Sequence, residues 1–228
     1  MQMRADSERM ARTRVHGSSG QGQRVQPGED RVEITLFGPP SVVAGGRPVR
    51  IPRRQARALL YRLAAQAAPV PRDALCFLFW PDVPDATARR HLTRLLAHLH
   101  RDLPGLIVAD SDSAGLNPER VQSDAAAFEL LAGSADEQAL RRAVDLYRGP
   151  FLAGFSLPGA PEFESWAFQE QQRLERRYLE ILAGLVEAHS SGGRYKEAIA
   201  LAERYLETNA LAEGMHRRLI ELYAIAGD

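Results

Sequence analysis

The residues best placed to do chemistry lie in one stretch near the middle of the chain. Arg90, Arg94 and Arg101, together with Thr87, fall on one side of an amphipathic period that runs from about Asp85 to Leu103. Ala88, Leu92, Leu95, Leu96, Leu99 and Leu103 fall on the other side. At about 100° per residue the leucines cluster within about 60° of Leu92, and the arginines form a row opposite them. A guanidinium presents a planar fork of donors that fits a guanine edge or a phosphate in a bidentate way. A row of this length suits a helix lying in the major groove of duplex DNA, and Ala97 within it leaves room for close approach. On the flanks, Arg89 and Thr93, with His91, His98 and His100, are placed for backbone contact. An ordinary solvated face mixes Glu with Arg to gain pairing one turn apart. Between Ala86 and Arg101 the sequence has no acid, so four arginines stand there without a local counter-charge.

The charge of the whole chain hides this. The 228 residues carry 29 basic and 29 acidic side chains, a formal net charge of zero. Residues 47–101 hold 11 arginines and 3 acids, whereas residues 119–228 hold 12 basic and 18 acidic residues. A basic segment followed by an acidic one reads as two modules with different partners, the first suited to a polyanion. Every basic residue but Lys196 is Arg. That bias explains Arg over Lys but not the scarcity of acids in 47–101.

The elements that must position the arginine row can be read around it. Residues 1–28 are polar and lack an apolar period, and are expected to be a disordered tail. Val32, Ile34 and Leu36 alternate with polar residues, which predicts a strand with one buried face. A second strand is expected over Ser41–Ala44, with a Gly45-Gly46 hairpin turn into Arg47–Ile51. A helix is expected from about Arg53 to Ala67, and a second after Pro71 to Trp80. The third, carrying the arginine row, should start with Asp85 as its cap. At the start of the first helix, Arg53, Arg54 and Arg57 are candidates for phosphate contact, helped by the free amides of a helix N-terminus. A β-hairpin is expected from Leu106 to Val121, with its tip at Asp110–Ser113.

From Asp124 onward the periodicity is helical. Helices are expected over Asp124–Leu131, Asp136–Tyr147, about Glu162–His189 with Trp166 inward, a segment opened by Tyr195, and a last one carrying Leu211, Met215, Leu219 and Leu222. Gly193-Arg194 and Gly227-Asp228 restate one pattern 34 residues apart, the period of tetratricopeptide (TPR) repeats. The chain stops where the next repeat should begin, so the last repeat is expected to be incomplete, or the chain to be a fragment.

The predicted fold class is therefore an α+β winged helix-turn-helix followed by an all-α TPR-like domain. The expected division is 1–28 tail, 29–123 winged helix and 124–228 helical domain. Enzyme motifs are missing: no Gly-Lys-Ser/Thr phosphate loop and no Gly-x-Ser-x-Gly elbow occur. The three histidines of the arginine helix cannot share a face, so neither a metal site nor a cofactor is expected. Cys76, the single cysteine, sits among apolar residues and reads as packing. No apolar run of about 18 residues and no signal-peptide core occur, so no membrane association and a cytoplasmic location are expected.

The residues Leu36-Phe37-Gly38, Gly46-Arg47-Pro48-Val49, Gln55–Leu60, Val70–Leu75, Leu78–Asp82 and Leu95–Leu103 resemble the OmpR-type winged helix of the SARP transcription activators. Ala139–Leu152, Glu164-Ser165-Trp166 and Gly193–Ile199 resemble the bacterial transcriptional activation domain that follows it in that family. The resemblance covers about residues 31–228. It implies a sequence-specific DNA-binding activator that occupies direct repeats as side-by-side protomers. The implied partners are duplex DNA, a second copy of the chain on DNA, and RNA polymerase or its sigma factor. The sequence departs from the family where Ser113–Leu116 lacks the usual wing tyrosine, and where Arg90-His91 stands for Asn and a small residue. The rival reading is a TPR-type interaction adaptor without specific DNA binding, which the acidic half alone would support.

Overall fold

The computed structural model describes residues 31–227. The tail expected over 1–28 lies outside the described residues. Strands β1 (Val32–Thr35), β2 (Ser41–Ala44), β3 (Arg47–Pro48) and β7 (Val121–Ser123) form one sheet in the order β3-β2-β1-β7. β1 buries Val32 and Ile34 and exposes Glu33, as its alternation predicts. Gly45 and Gly46 turn the β2–β3 hairpin with φ of 55° and 73°. Two differences from expectation follow. β3 ends at Pro48 rather than reaching Ile51; past it only the Val49 amide still donates to β2, to Val42 O at 2.8 Å. β7 was not foreseen; it pairs parallel with β1, from Val32 opposite Val121 to Ile34 opposite Ser123.

Three helices follow: α1 (Arg54–Ala64), α2 (Arg72–Phe79) and α3 (Asp85–Asp102). α1 stops a turn before the expected Ala67. Asp85 is the first residue of α3 rather than its cap; Pro84 takes that place, and no side chain caps the helix. The second sheet has the order β4-β6-β5, from β4 (Val70–Pro71), β5 (Ile107–Ala109) and β6 (Ser113–Leu116). β5 and β6 are the expected hairpin, but its return ends at Leu116, so Asn117-Pro118 lies past the ladder and does not disturb it. β4 is a further strand that two residues could not announce.

The remaining elements are α4 (Asp124–Ala132), α5 (Glu137–Leu146), α6 (Pro161–Ser191), α7 (Tyr195–Thr208) and α8 (Glu213–Ala226). Asp136 caps α5 by accepting the Ala139 amide at 2.9 Å. Leu211 is corrected: it precedes α8 and is 90% exposed. Trp166 is half-buried, with the Arg62 guanidinium 4.9 Å above its ring. Gly193 and Gly227, 34 residues apart, both adopt left-handed φ, 71° and 84°, at the ends of α6 and α8. A side chain there would be strained, which is why glycine recurs at the repeat junction.

The sheet, α1–α3 and α4–α6 share one continuous core rather than two. The segment after α5 crosses back to β1: the Gly38 amide donates to Pro150 O at 3.0 Å, and the Leu152 amide to Leu36 O at 2.8 Å. Phe155 packs on Tyr61, and Phe163 of α6 stacks on Phe79 of α2 with centroids 5.6 Å apart. α7 and α8 add a second cluster around Ala198, Ile199, Ala202 and Leu222.

One buried polar group is expected to make the helical half sensitive to acid. His189 of α6 has no exposed surface, and Arg141 of α5 donates to its Nε2 at 2.6 Å. Burial, with Arg141 and Arg194 beside it, pushes the His189 pKa below its ordinary value, against the weaker pull of Glu137. A base with a lowered pKa in the folded state contributes stability above its unfolded pKa and loses it as pH falls. The urea midpoint should therefore drop as pH falls below the histidine range of about 6.5, and His189→Gln should flatten that drop. An unchanged slope in the variant would assign the effect elsewhere.

Candidate nucleic-acid interface

α3 is held by burial of Ala88, Leu92, Leu95, Leu96 and Leu99. Each fully buried leucine contributes about 1.5–3 kcal/mol, so the helix cannot rotate without large loss. That fixes the opposite face outward: Arg90, Arg94, Ala97 and Arg101 are exposed and Thr87 is half-buried. Arg90 is laid along the helix by Thr87 Oγ1 at 2.9 Å and Ala86 O at 3.3 Å. Arg94 has no hydrogen-bond or ion-pair partner within the described residues. Arg101 reaches His98 Nδ1 at 2.8 Å and lies 3.7 Å from the Asp102 carboxylate.

The expectation of four unpaired arginines is corrected. Arg89 is held by Asp85, one turn earlier at 3.1 Å, and by Asp73 of α2. It ties α2 to α3 through these two carboxylates. Counting acids within α3 missed this, because Asp85 lies just before the counted stretch and packing brings Asp73 to the helix. Thr93 is also occupied: its hydroxyl donates to Arg89 O at 2.9 Å and accepts from Arg72 at 3.4 Å.

Arg72 is the residue that sequence reasoning passed over. It opens α2, and its amide donates to Asp112 O in the β5–β6 turn at 2.8 Å. Its side chain therefore stands where α2, α3 and the hairpin meet. Its only sequence signal was a position directly after Pro71 at a helix start.

Arg53, Arg54 and Arg57 separate in the structure. Arg53 is exposed at the α1 N-cap. Arg54 donates to Ser156 O at 2.5 Å and Ser156 Oγ at 3.1 Å, and its guanidinium lies 5.5 Å from the Phe155 ring centroid. Arg57 lies 5.8 Å from the same centroid. Arg54 and Arg57 are thus engaged inside the chain, clamping the segment that joins α5 to α6. Arg54→Ala should cost about 1 kcal/mol of unfolding free energy through the lost hydrogen bonds and cation–π contact. A chemical denaturation curve checks this, and a curve unchanged from wild type would mean that the clamp carries no load.

The hairpin beside α3 is anionic at its tip. The Asp110 carboxylate accepts the amides of Asp112 and Ser113 at 2.8 and 2.7 Å. These bonds hold its pKa below the usual carboxylate range. No Lys or Arg occurs in residues 107–116, so the hairpin offers duplex phosphates no cation and carries Asp110 and Asp112 at its tip. Cationic contact is left to the helices.

Cys76 is buried, and burial raises its thiol pKa, which suits packing rather than reactivity. Among the described residues no cluster of His, Cys, Asp and Glu could hold a metal ion, and no helix is long and apolar enough to cross a membrane.

Comparison with known proteins adds three findings. Residues 119–228 match the family described as the bacterial transcriptional activator domain, a regulatory rather than enzymatic module. No curated protein matches the chain. Among solved structures, the fold is similar to that of Mycobacterium tuberculosis EmbR, determined in complex with a low affinity phosphopeptide. The TM-score is 0.60 and the identity 24%, over 86% of this chain and 55% of that one.

Proposed function

Because the chain carries a bacterial transcriptional activator domain behind a winged helix, the SARP-type arrangement, we propose that it binds duplex DNA sequence-specifically and activates transcription. α3 enters the major groove. Arg90, Arg94 and Arg101, with Thr87, face base edges and nearby phosphates, while Arg53 and Arg72 contact the backbone. Residues 29–123 form the DNA-reading part and residues 124–228 the protein-facing part. Protomers sit side by side on direct repeats, and the acidic helical half meets a neighbouring protomer or the polymerase and its sigma factor.

The observation that carries this reading is the outward arginine face of α3, with Arg94 unpaired among the described residues. An unpaired guanidinium on a rigid helix needs no partner broken before it binds. A gel-shift titration of the full chain at two salt concentrations tests it, since each neutralised phosphate steepens the salt dependence. Arg94→Ala should weaken a specific site by about 1–3 kcal/mol. Arg53→Ala should weaken all sequences alike and lower the salt slope by about 1. No retardation at low salt would favour the adaptor reading, in which the helical half alone binds a protein partner.

A further inference from the structure

We propose that the apolar cavity between α1, β7 and α4 binds a neutral small molecule the size of a bicyclic aromatic, carrying one hydrogen-bonding group. The cavity has a volume of about 260 Å³. Ala64 and Ala67 line one side, Ala126 and Ala127 another, and Leu116, Pro118 and Val121 its base. Four alanines on facing elements leave the space open. An apolar cavity of about 150 Å³ already accepts benzene, so the volume here suits two fused rings.

Two further observations define the ligand. No charged side chain lines the cavity, so a charged molecule would lose its hydration with no counter-charge to meet it. Ser123, which lines it, is 6% exposed, and its hydroxyl has no hydrogen-bond partner among the described residues. Ser123 is the N-cap of α4, where a serine ordinarily accepts an amide of the first turn. Here the Asp124 carboxylate takes the Ala125 amide instead, at 2.8 Å. A buried hydroxyl left unpaired costs stability, and turning the Ser123 side chain about χ1 to meet a ligand donor or acceptor in the cavity would recover it. At the rim, Leu130 is 80% exposed and would be covered by the same molecule.

Indole is the probe. Added to the full chain labelled at its alanine methyls, it should shift the Ala64, Ala67, Ala126 and Ala127 signals saturably. Ala127→Trp should abolish the shifts by filling the cavity. Should that variant fold poorly, Ala127→Leu and the exposed Leu130→Gln should each weaken binding. Ser123→Ala should weaken it about tenfold, the equivalent of about 1.4 kcal/mol. Absence of saturable shifts would overturn the proposal, as would shifts that persist in a well-folded Ala127 variant. Concentration-dependent shifts without indole would also overturn it, because they would make a second copy of the chain the occupant.

Discussion

Replacing Asp124 by alanine should destabilise the chain by about 2–5 kcal/mol, because three backbone amides lose one shared acceptor and each group left unsatisfied costs about 1–3 kcal/mol. The carboxylate accepts the Leu36 amide at 2.7 Å, the Phe37 amide at 3.0 Å and the Ala125 amide at 2.8 Å. Two of these donors end β1 and the third opens α4. Alanine would leave all three without that acceptor, at a junction where water has little access. Asp124→Asn should fall between, since an amide keeps one acceptor oxygen and turns donors against donors. The measurement is urea unfolding followed by the fluorescence of Trp80 and Trp166. A loss below about 1 kcal/mol would show that other groups satisfy these amides. The pH dependence gives a second check. Burial raises the Asp124 pKa despite the amides that pull it down. A raised acid contributes stability below the ordinary aspartate value and loses it as pH rises through the folded value. Wild type should therefore lose ground to Asp124→Asn as pH climbs out of the acid range.

The second large effect concerns DNA. Changing Arg90, Arg94 and Arg101 together to alanine should cost about 3–6 kcal/mol at a specific site and flatten the salt slope by about 3, if each arginine makes one charged contact. All three are exposed, so their removal should leave thermal stability nearly unchanged, as surface substitutions do within about 0.5 kcal/mol. That separates lost binding from lost folding. Equal binding by wild type and the triple variant would remove α3 from the interface and with it the proposed reading mode.

The arginine face itself was legible in the sequence because a helix that buries leucines at a 3.6 period has one possible outward side. Leu92, Leu95, Leu96 and Leu99 are buried, and Arg90, Arg94 and Arg101 face solvent. The pairing of Arg89 was not legible, because Asp73 belongs to another helix and only packing brings it close. The same holds for Arg54: nothing local marks Ser156 and Phe155, 102 and 101 residues away, as its neighbours. β4 and β7 escaped for a related reason. Each is two or three residues long, too short for an alternating pattern, and exists only because a partner strand is already in place.

By itself, then, the sequence determined the order of the helices, the outward arginine row on α3 and the 34-residue spacing of Gly193 and Gly227, since each is written along the chain itself. The tertiary structure decided which arginines remain free, and it decided that the winged helix and the helical domain share a core. Both depend on contacts between residues distant in the chain. The basic half and the acidic half that cancel in the net charge are joined through Asp124, Pro150–Leu152 and Phe163, and a local pattern cannot encode such a joint.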